Sequence, residues 1–386
     1  MAGFGFLNGL FTNYEVVKLH ISNPFLLNSL IYCSLLLVTL MTLRKKPSTL
    51  LDFSQTEQLK GLAMLFVVVG HFWLHVCNEH GPFLYIGDYA VTLFLLLSGY
   101  GLMTSNIARR VNAREFVTKR LRKILVPYWV ATIGIIALDY ILLQKHYPLH
   151  ELLLTFSGIN LSEALKFFDY ARWFITLLLI YYLAFFFCAK LWSPPSATLA
   201  LLCFSLVLIL FRRTEFFPLG ARHQLLAFPL GCLLALIFPS IEHGERINLR
   251  RQIVSLAFTA LAMLFIFLGR NKNGSSLEKV LFYLDGYILP YLYCLILALT
   301  ISVLASTGYT SKFLGLCGYL SYEVYLIHGP LLVKYNPVLG YFENNAMLVG
   351  ILLWGSLLFG LAYALKLTTS GINHLCKAAT YDKTWH

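Results

Sequence analysis

Long blocks of apolar residues constrain this chain more than any motif in it. A helix needs ~20 residues to cross the hydrocarbon core of a bilayer. The sequence offers such blocks near residues 24–43, 59–77, 86–105, 124–143, 172–191, 197–212, 222–239, 253–269, 281–305, 313–333 and 346–366. In lipid every main-chain polar group must be bonded within the protein, so blocks of this kind form helices. The expectation is an all-α fold, a polytopic transmembrane bundle of about eleven spans. Only 12% of the 386 residues are charged and 58% are hydrophobic. A soluble globular chain carries roughly 25% charged residues, so that class is excluded. The gaps are short, and no soluble module is expected.

The formal net charge is +12. The basic clusters lie between apolar blocks, where they set topology and meet anionic lipid or an anionic cofactor; nucleic acid is not an expected partner. The first block runs into Arg44-Lys45-Lys46 and reads as a retained anchor. The third gap carries Arg109, Arg110, Arg114, Lys119, Arg120, Arg122 and Lys123. Both gaps are therefore expected on the cytoplasmic side, with the N-terminus outside and the C-terminus inside. The gap at 144–171 holds an apolar run, Leu152-Leu153-Leu154, expected to lie along the membrane surface. Arg172, at the outer end of the next span, reads as an interfacial anchor or a contact for an acidic acceptor. The eight cysteines fall almost entirely inside apolar blocks and form no CxxC pair, so a disulfide or zinc framework is not expected.

The second block carries the chemistry. Lys60 and His71 are eleven residues apart, close to a whole number of helical turns, and Glu57 falls on much the same face. At ~1.5 Å rise per residue, His71 stands ~16 Å deeper than Lys60. One face thus has a carboxylate and an ammonium at its mouth and an imidazole well inside. An ionisable group at such depth is costly and faces a cavity or a bonding neighbour. His75 is four residues on, but no third ligand is placed by the sequence and no metal is assigned. Lys119, Arg120 and Lys123 stand three to four residues apart, one basic face of a helix suited to phosphates.

These stretches fall in an order that resembles the integral-membrane acyltransferase family 3, whose members O-acylate cell-surface carbohydrates. The resemblance runs from Gln55 to Ala364. Glu57-Gln58-Leu59-Lys60-Gly61-Leu62-Ala63 with His71 is similar to the family's opening helix. Leu93-Phe94-Leu95-Leu96-Leu97-Ser98-Gly99-Tyr100 is similar to its Ser-Gly helix end. Lys119-Arg120-Leu121-Arg122-Lys123-Ile124-Leu125-Val126-Pro127-Tyr128 matches its basic motif. Trp173-Phe174 and Gly318-Tyr319-Leu320-Ser321-Tyr322-Glu323-Val324-Tyr325-Leu326-Ile327-His328 come next in order. The chain departs from the family at Lys60, Glu57, Lys119 and Lys123, which keep charge but, for the lysines, lose the bidentate geometry of arginine. Leu178 stands where many relatives have a glutamate.

The resemblance implies a ten-span acyltransferase core at residues 55–367, preceded by an N-terminal segment (1–54) with one extra span and followed by a cytoplasmic tail (368–386). It implies transfer of an acyl group, most often acetyl, from cytoplasmic acetyl-CoA to a carbohydrate hydroxyl in a bacterial inner membrane. The partners are then acyl-CoA, a surface or lipid-linked carbohydrate, and membrane lipids. His71 is the candidate general base or acyl carrier, with Lys60 and Glu57 beside it. Lys119, Arg120 and Lys123 are the candidate donor-phosphate site. Ser98, Tyr100, Trp173, Glu323 and His328 are candidate substrate contacts; Ser98 also reads as packing, because Ser-Gly pairs let helices approach. Two other classes fit many spans with buried titratable groups. One is a proton-coupled transporter using His71, Asp139, Asp285, Glu323 and His328 as a relay; the other is a lipid-linked glycan flippase or polymerase.

Overall fold

The computed structural model describes residues 10–46, 52–79, 86–160, 168–211, 224–238, 248–269, 274–343 and 346–381, without the side chains of 282–287 and 375–381. In chain order the elements are α1 (Pro24–Met41), β1 (Leu43–Lys45), α2 (Phe53–His75), α3 (Ile86–Ala108), α4 (Ala113–Arg120), α5 (Val126–Leu143), α6 (Leu149–Phe156), α7 (Trp173–Leu191), α8 (Pro194–Phe211), α9 (Ala227–Ile237), α10 (Leu249–Gly269), α11 (Ser276–Ser306), β2 (Tyr309–Ser311), α12 (Lys312–Tyr319), α13 (Ser321–Val333) and α14 (Met347–Tyr381). Among the described residues nine helical runs are long and apolar enough to cross a membrane. The apolar helix at Gln224–Ile237 is shorter. The block expected as one span at 313–333 is two helices, α12 and α13, broken at Leu320. The polytopic helical bundle is as expected, but the last helix does not stop near 366. It runs on to Tyr381.

Local chemistry sets several helix starts. Asn23 caps α1 by accepting from Leu26 N, with Pro24 at the first turn, where its missing N–H costs no bond. Asp52 caps α2 by accepting from Gln55 N at 2.7 Å. Between α4 and α5, residues Leu121–Leu125 form a π turn. Pro127 explains it: it has no N–H to give the carbonyl of Lys123 and its ring crowds that carbonyl, so the helix widens there. Segment 144–171 holds the eight-residue helix α6, too short to span.

Helix α2 is the central element: 67% of its apolar window is buried inside the protein, against 11% for the peripheral α10. Two helix crossings fix its surroundings. A Cβ on Gly61 would lie 2.1 Å from the carbonyl oxygen of Leu314, and one on Gly318 would lie 1.8 Å from that of Glu57, so α2 and α12 meet backbone to backbone. α3 and α9 meet in the same way: a Cβ on Gly99 would lie 2.0 Å from Phe228 O, and one on Gly231 would lie 2.0 Å from Leu96 O. Without a hydrophobic driving force between helices in lipid, such small-residue crossings let dispersion contacts hold the bundle.

Residues before the family-like core are stitched into it. Trp73 Nε1 donates to Asn28 Oδ1 at 2.9 Å, tying α1 to α2. The strands β1 and β2 pair antiparallel, Arg44 opposite Thr310. An irregular strap, residues 10–22, crosses the far ends of α2 and α13. Its Leu19 N donates to Val76 O at 2.9 Å and its Tyr14 N to Val333 O at 2.6 Å.

Candidate active site

His71 on α2 faces His328 on α13. Their rings are nearly coplanar, with Nδ1 of His71 2.8 Å from Nε2 of His328. Nδ1 of His328 lies 2.8 Å from Tyr325 O and 3.2 Å from Val324 O. Carbonyl oxygens only accept, so Nδ1 of His328 carries the hydrogen. In the neutral pair Nε2 of His328 is then an acceptor, and Nδ1 of His71 donates to it. That assignment leaves Nε2 of His71 as a free lone pair. The tautomers are set by the hydrogen-bond chain, starting at a main-chain carbonyl.

His71 lines a cavity of about 400 Å³. Along α2 the cavity touches Met64 at one end and His75 at the other, eleven residues apart and therefore ~16 Å of helix. The end nearer Lys60 is walled by Met64, Val67, Ser321, Tyr322 and Tyr325. The opposite end is walled by Leu74, His75 and Tyr170, while Asp88 and Trp173 line the middle: Gly87, next to Asp88, packs on Val67 and Gly70, and Phe174, next to Trp173, meets the Tyr325 ring at 5.4 Å. His71 stands between the two ends. Tyr170 stacks on His75 with ring centroids 3.7 Å apart and meets the His71 ring edge-on at 4.9 Å. Gly329 makes room for this loop: a Cβ there would lie 2.5 Å from Asp169 Oδ1.

The other expected site residues divide. Trp173 lines the cavity and His328 stands buried behind His71. Lys60 and Glu57 form an ion pair at 2.8 Å, one helical turn beyond Met64. Glu323 is buried and faces away, pairing with Lys366 on α14 at 3.0 Å. Ser98 and Tyr100 flank the Gly99 crossing and are not among the cavity's lining residues. Arg172 is no interfacial anchor. It is 1% exposed, 3.2 Å from Asp169, and packs over Phe168 and Tyr128. The relay expected of a transporter is divided too, since Asp139 is closed on Lys334, Tyr147 and Tyr335, and Glu323 on Lys366. The side chain of Asp285 lies outside the described residues. His71 is 5.5 Å from His75, ring to ring. Among the described residues no group of three His, Cys, Asp or Glu side chains is disposed to hold a metal.

The three basic residues of the expected phosphate site do not share one face. Lys123 lies exposed within the π turn and is not among the residues lining the depression beside Lys119. Lys119 Nζ lies 2.6 Å from Glu115 Oε1, and it borders a shallow surface depression with Arg109, Arg114 and Arg122. Arg120 turns inward over the rings of Tyr182 at 4.8 Å and Phe116 at 5.4 Å. Its Nε is buried and has no hydrogen-bond partner among the described residues. An orphaned buried guanidinium N–H is a costly group that an anion would satisfy. Tyr322 links this region to the cavity: its ring lines the wall and its hydroxyl donates to Ile124 O in the π turn at 2.8 Å. Asp88 and Tyr170 carried no signal in the sequence beyond their residue types, because spacing along one helix says little of what a neighbouring helix presents; Tyr322 stood inside the motif that ends at His328 but was not singled out.

A family model described as an acyltransferase domain, of the acyltransferase 3 type, matches residues 55–365. No curated protein matches the chain, and no solved structure does.

Proposed function

The chain belongs to the acyltransferase 3 family, and from that premise we propose that this membrane acyltransferase is an O-acetyltransferase. It moves an acetyl group from cytoplasmic acetyl-CoA to a hydroxyl of a cell-surface or lipid-linked carbohydrate, in a bacterial inner membrane. The observation that carries the reading is His71, whose Nδ1 is held by His328 while the ring lines a cavity between two differently walled ends. A base needs a lone pair aimed at the reacting hydroxyl, and the carbonyl–His328–His71 chain supplies one at Nε2.

In this reading the end bearing Lys60 and the basic segment faces the cytoplasm, in keeping with the positive-inside rule. Arg120, with its orphaned Nε, and Lys119, with Arg109, Arg114 and Arg122, would hold the donor's phosphates. Lys123, exposed within the π turn and outside that depression, serves topology and lipid contact in this reading. Tyr322 and the apolar wall at Met64 and Val67 would guide the acyl-bearing arm toward His71. Lys60, oriented by Glu57, sits one turn from that entry and would meet the donor there. His71 Nε2 takes the proton of the acceptor hydroxyl as the ester C–O bond forms and the thioester C–S bond breaks, and then returns it to the departing thiolate. The acceptor approaches from the end walled by Leu74, His75 and Tyr170.

Comparative mass spectrometry of surface glycans from wild-type and deletion strains tests this. The reading expects glycans of the deletion strain to lack acetyl groups while the polymer persists. Unchanged glycans would overturn it, and loss of the polymer itself would favour a flippase or polymerase.

A further inference from the structure

We propose that Asn373, on the stretch of α14 beyond the apolar span, is a positioning residue for the donor site: it braces the π turn at whose head Arg120 turns inward. The inference rests on the donor-site reading above. At ~1.5 Å per residue α14 runs ~52 Å, well past a hydrocarbon core of ~30 Å. Within the span its buried residues include Trp354, Leu358 and Ala362. The same face then turns polar, with Lys366, Thr369 and Asn373 following at helical spacing. Lys366 pairs with Glu323 at 3.0 Å and donates to Tyr319 O at 3.3 Å. Thr369 is buried between exposed neighbours. Asn373 Nδ2 donates to the main-chain oxygen of Arg122 at 3.2 Å. The face thus holds α13 and α12 first and then the π turn.

The carbonyl that Asn373 reaches is one the helix cannot serve. Val126 N–H, four residues on from Arg122, is directed at Leu121 O instead. The residue five on is Pro127, which has no N–H. Arg122 O therefore lacks both helical donors, and Asn373 supplies one. The side chain of Arg122 borders the basic depression with Arg109, Arg114 and Lys119, and Arg120 directly precedes the turn. From the cavity side, Tyr322 donates to Ile124 O at 2.8 Å. The turn is thus held from two helices, α13 and α14, and its geometry sets where both guanidinium groups lie. Releasing the Asn373 bond lets the turn relax. The loss falls on donor affinity rather than on proton transfer, because neither Asn373 nor Arg122 is among the residues lining the cavity at His71.

The test uses full-length protein in lipid nanodiscs and equilibrium binding of labelled acetyl-CoA. Asn373→Leu keeps the size of the side chain and removes its donor; it is expected to weaken binding about three- to tenfold, the worth of one hydrogen bond. Asn373→Gln keeps an amide donor and is expected to stay within about twofold of wild type. In steady-state transfer the Leu variant is expected to raise the acetyl-CoA KM by the same factor with kcat changed less than about twofold. With Arg120→Gln and Arg122→Gln already in place, adding Asn373→Leu is expected to cost less than about twofold. Equal losses in the Leu and Gln variants, an undiminished loss in that double background, or a fall in kcat with KM unchanged overturns the proposal. Unchanged binding in Asn373→Leu overturns the brace alone when Arg120→Gln still weakens binding; unchanged binding in both overturns the donor site with it.

Discussion

Nδ1 of His71 and Nε2 of His328 lie 2.8 Å apart although 257 residues separate them in sequence. The contact turns a main-chain carbonyl at Tyr325 into a control on which nitrogen of His71 is free. His328 thus acts through His71 and is a positioning residue.

Substitutions at His328 separate that role from simple packing. Gln places a side-chain oxygen near the position of the lost Nε2 and accepts from His71; Asn reaches only as far as Nδ1. Relative to wild type, His328→Ala and His328→Asn are expected to lower kcat by about a hundredfold or more, with His328→Gln recovering much of the loss. Steady-state acetyl transfer checks this, and equal loss in the Gln and Asn variants would count against tautomer control.

The α2–α12 crossing predicts a steric contrast. Gly61→Ala and Gly318→Ala each drive a methyl group into backbone oxygen, and are expected to cost about 1–3 kcal/mol or more by overpacking. Gly101→Ala, with open space around its Cβ, is expected to be neutral or slightly stabilising. Thermal unfolding in detergent reads the difference.

Asp139 and Lys334, both buried and 3.6 Å apart, close the end of the bundle away from Lys60 together with Tyr147 and Tyr335. Removing one member leaves a buried charge alone. Asp139→Leu is expected to destabilise by about 3–5 kcal/mol, and adding Lys334→Met to recover part of it. A double-mutant cycle on thermal stability measures the coupling; additive losses would show the two are independent.

Arg120 and Lys123 should differ as donor contacts. Arg120→Gln removes an inward guanidinium with an orphaned N–H and is expected to raise the acetyl-CoA KM about tenfold with a smaller effect on kcat. Lys123→Gln, at an exposed position within the π turn and outside the depression beside Lys119, is expected to change it less than about threefold. Equal effects at the two positions would restore the single basic face.

The spans could be read from the sequence because hydropathy is a local property, and His71 because its spacing from Lys60 puts both on one face of one helix. What escaped was tertiary. The break at Leu320 has no proline or glycine at that residue to announce it. The basic face is split because Arg120 turns inward over the rings of Tyr182 and Phe116, which the spacing of Lys119, Arg120 and Lys123 does not announce. The strap at residues 10–22 has no periodicity, since its main-chain bonds go to Val76 and Val333, far away in the chain. Arg172 sits at a helix start and reads as interfacial, but Asp169 and the rings of Phe168 and Tyr128 enclose it. Asp88 is a single acidic residue at the head of an apolar run, and only the packing of α2, α3 and α7 gives it a cavity to face.

The central claim is that His71 takes the acceptor's proton. The most direct measurement is transfer of labelled acetyl from acetyl-CoA to glycan in inside-out membrane vesicles, comparing wild type with His71→Ala at equal membrane insertion. The account predicts a loss of at least about a hundredfold in the variant. Transfer at the wild-type rate would contradict it.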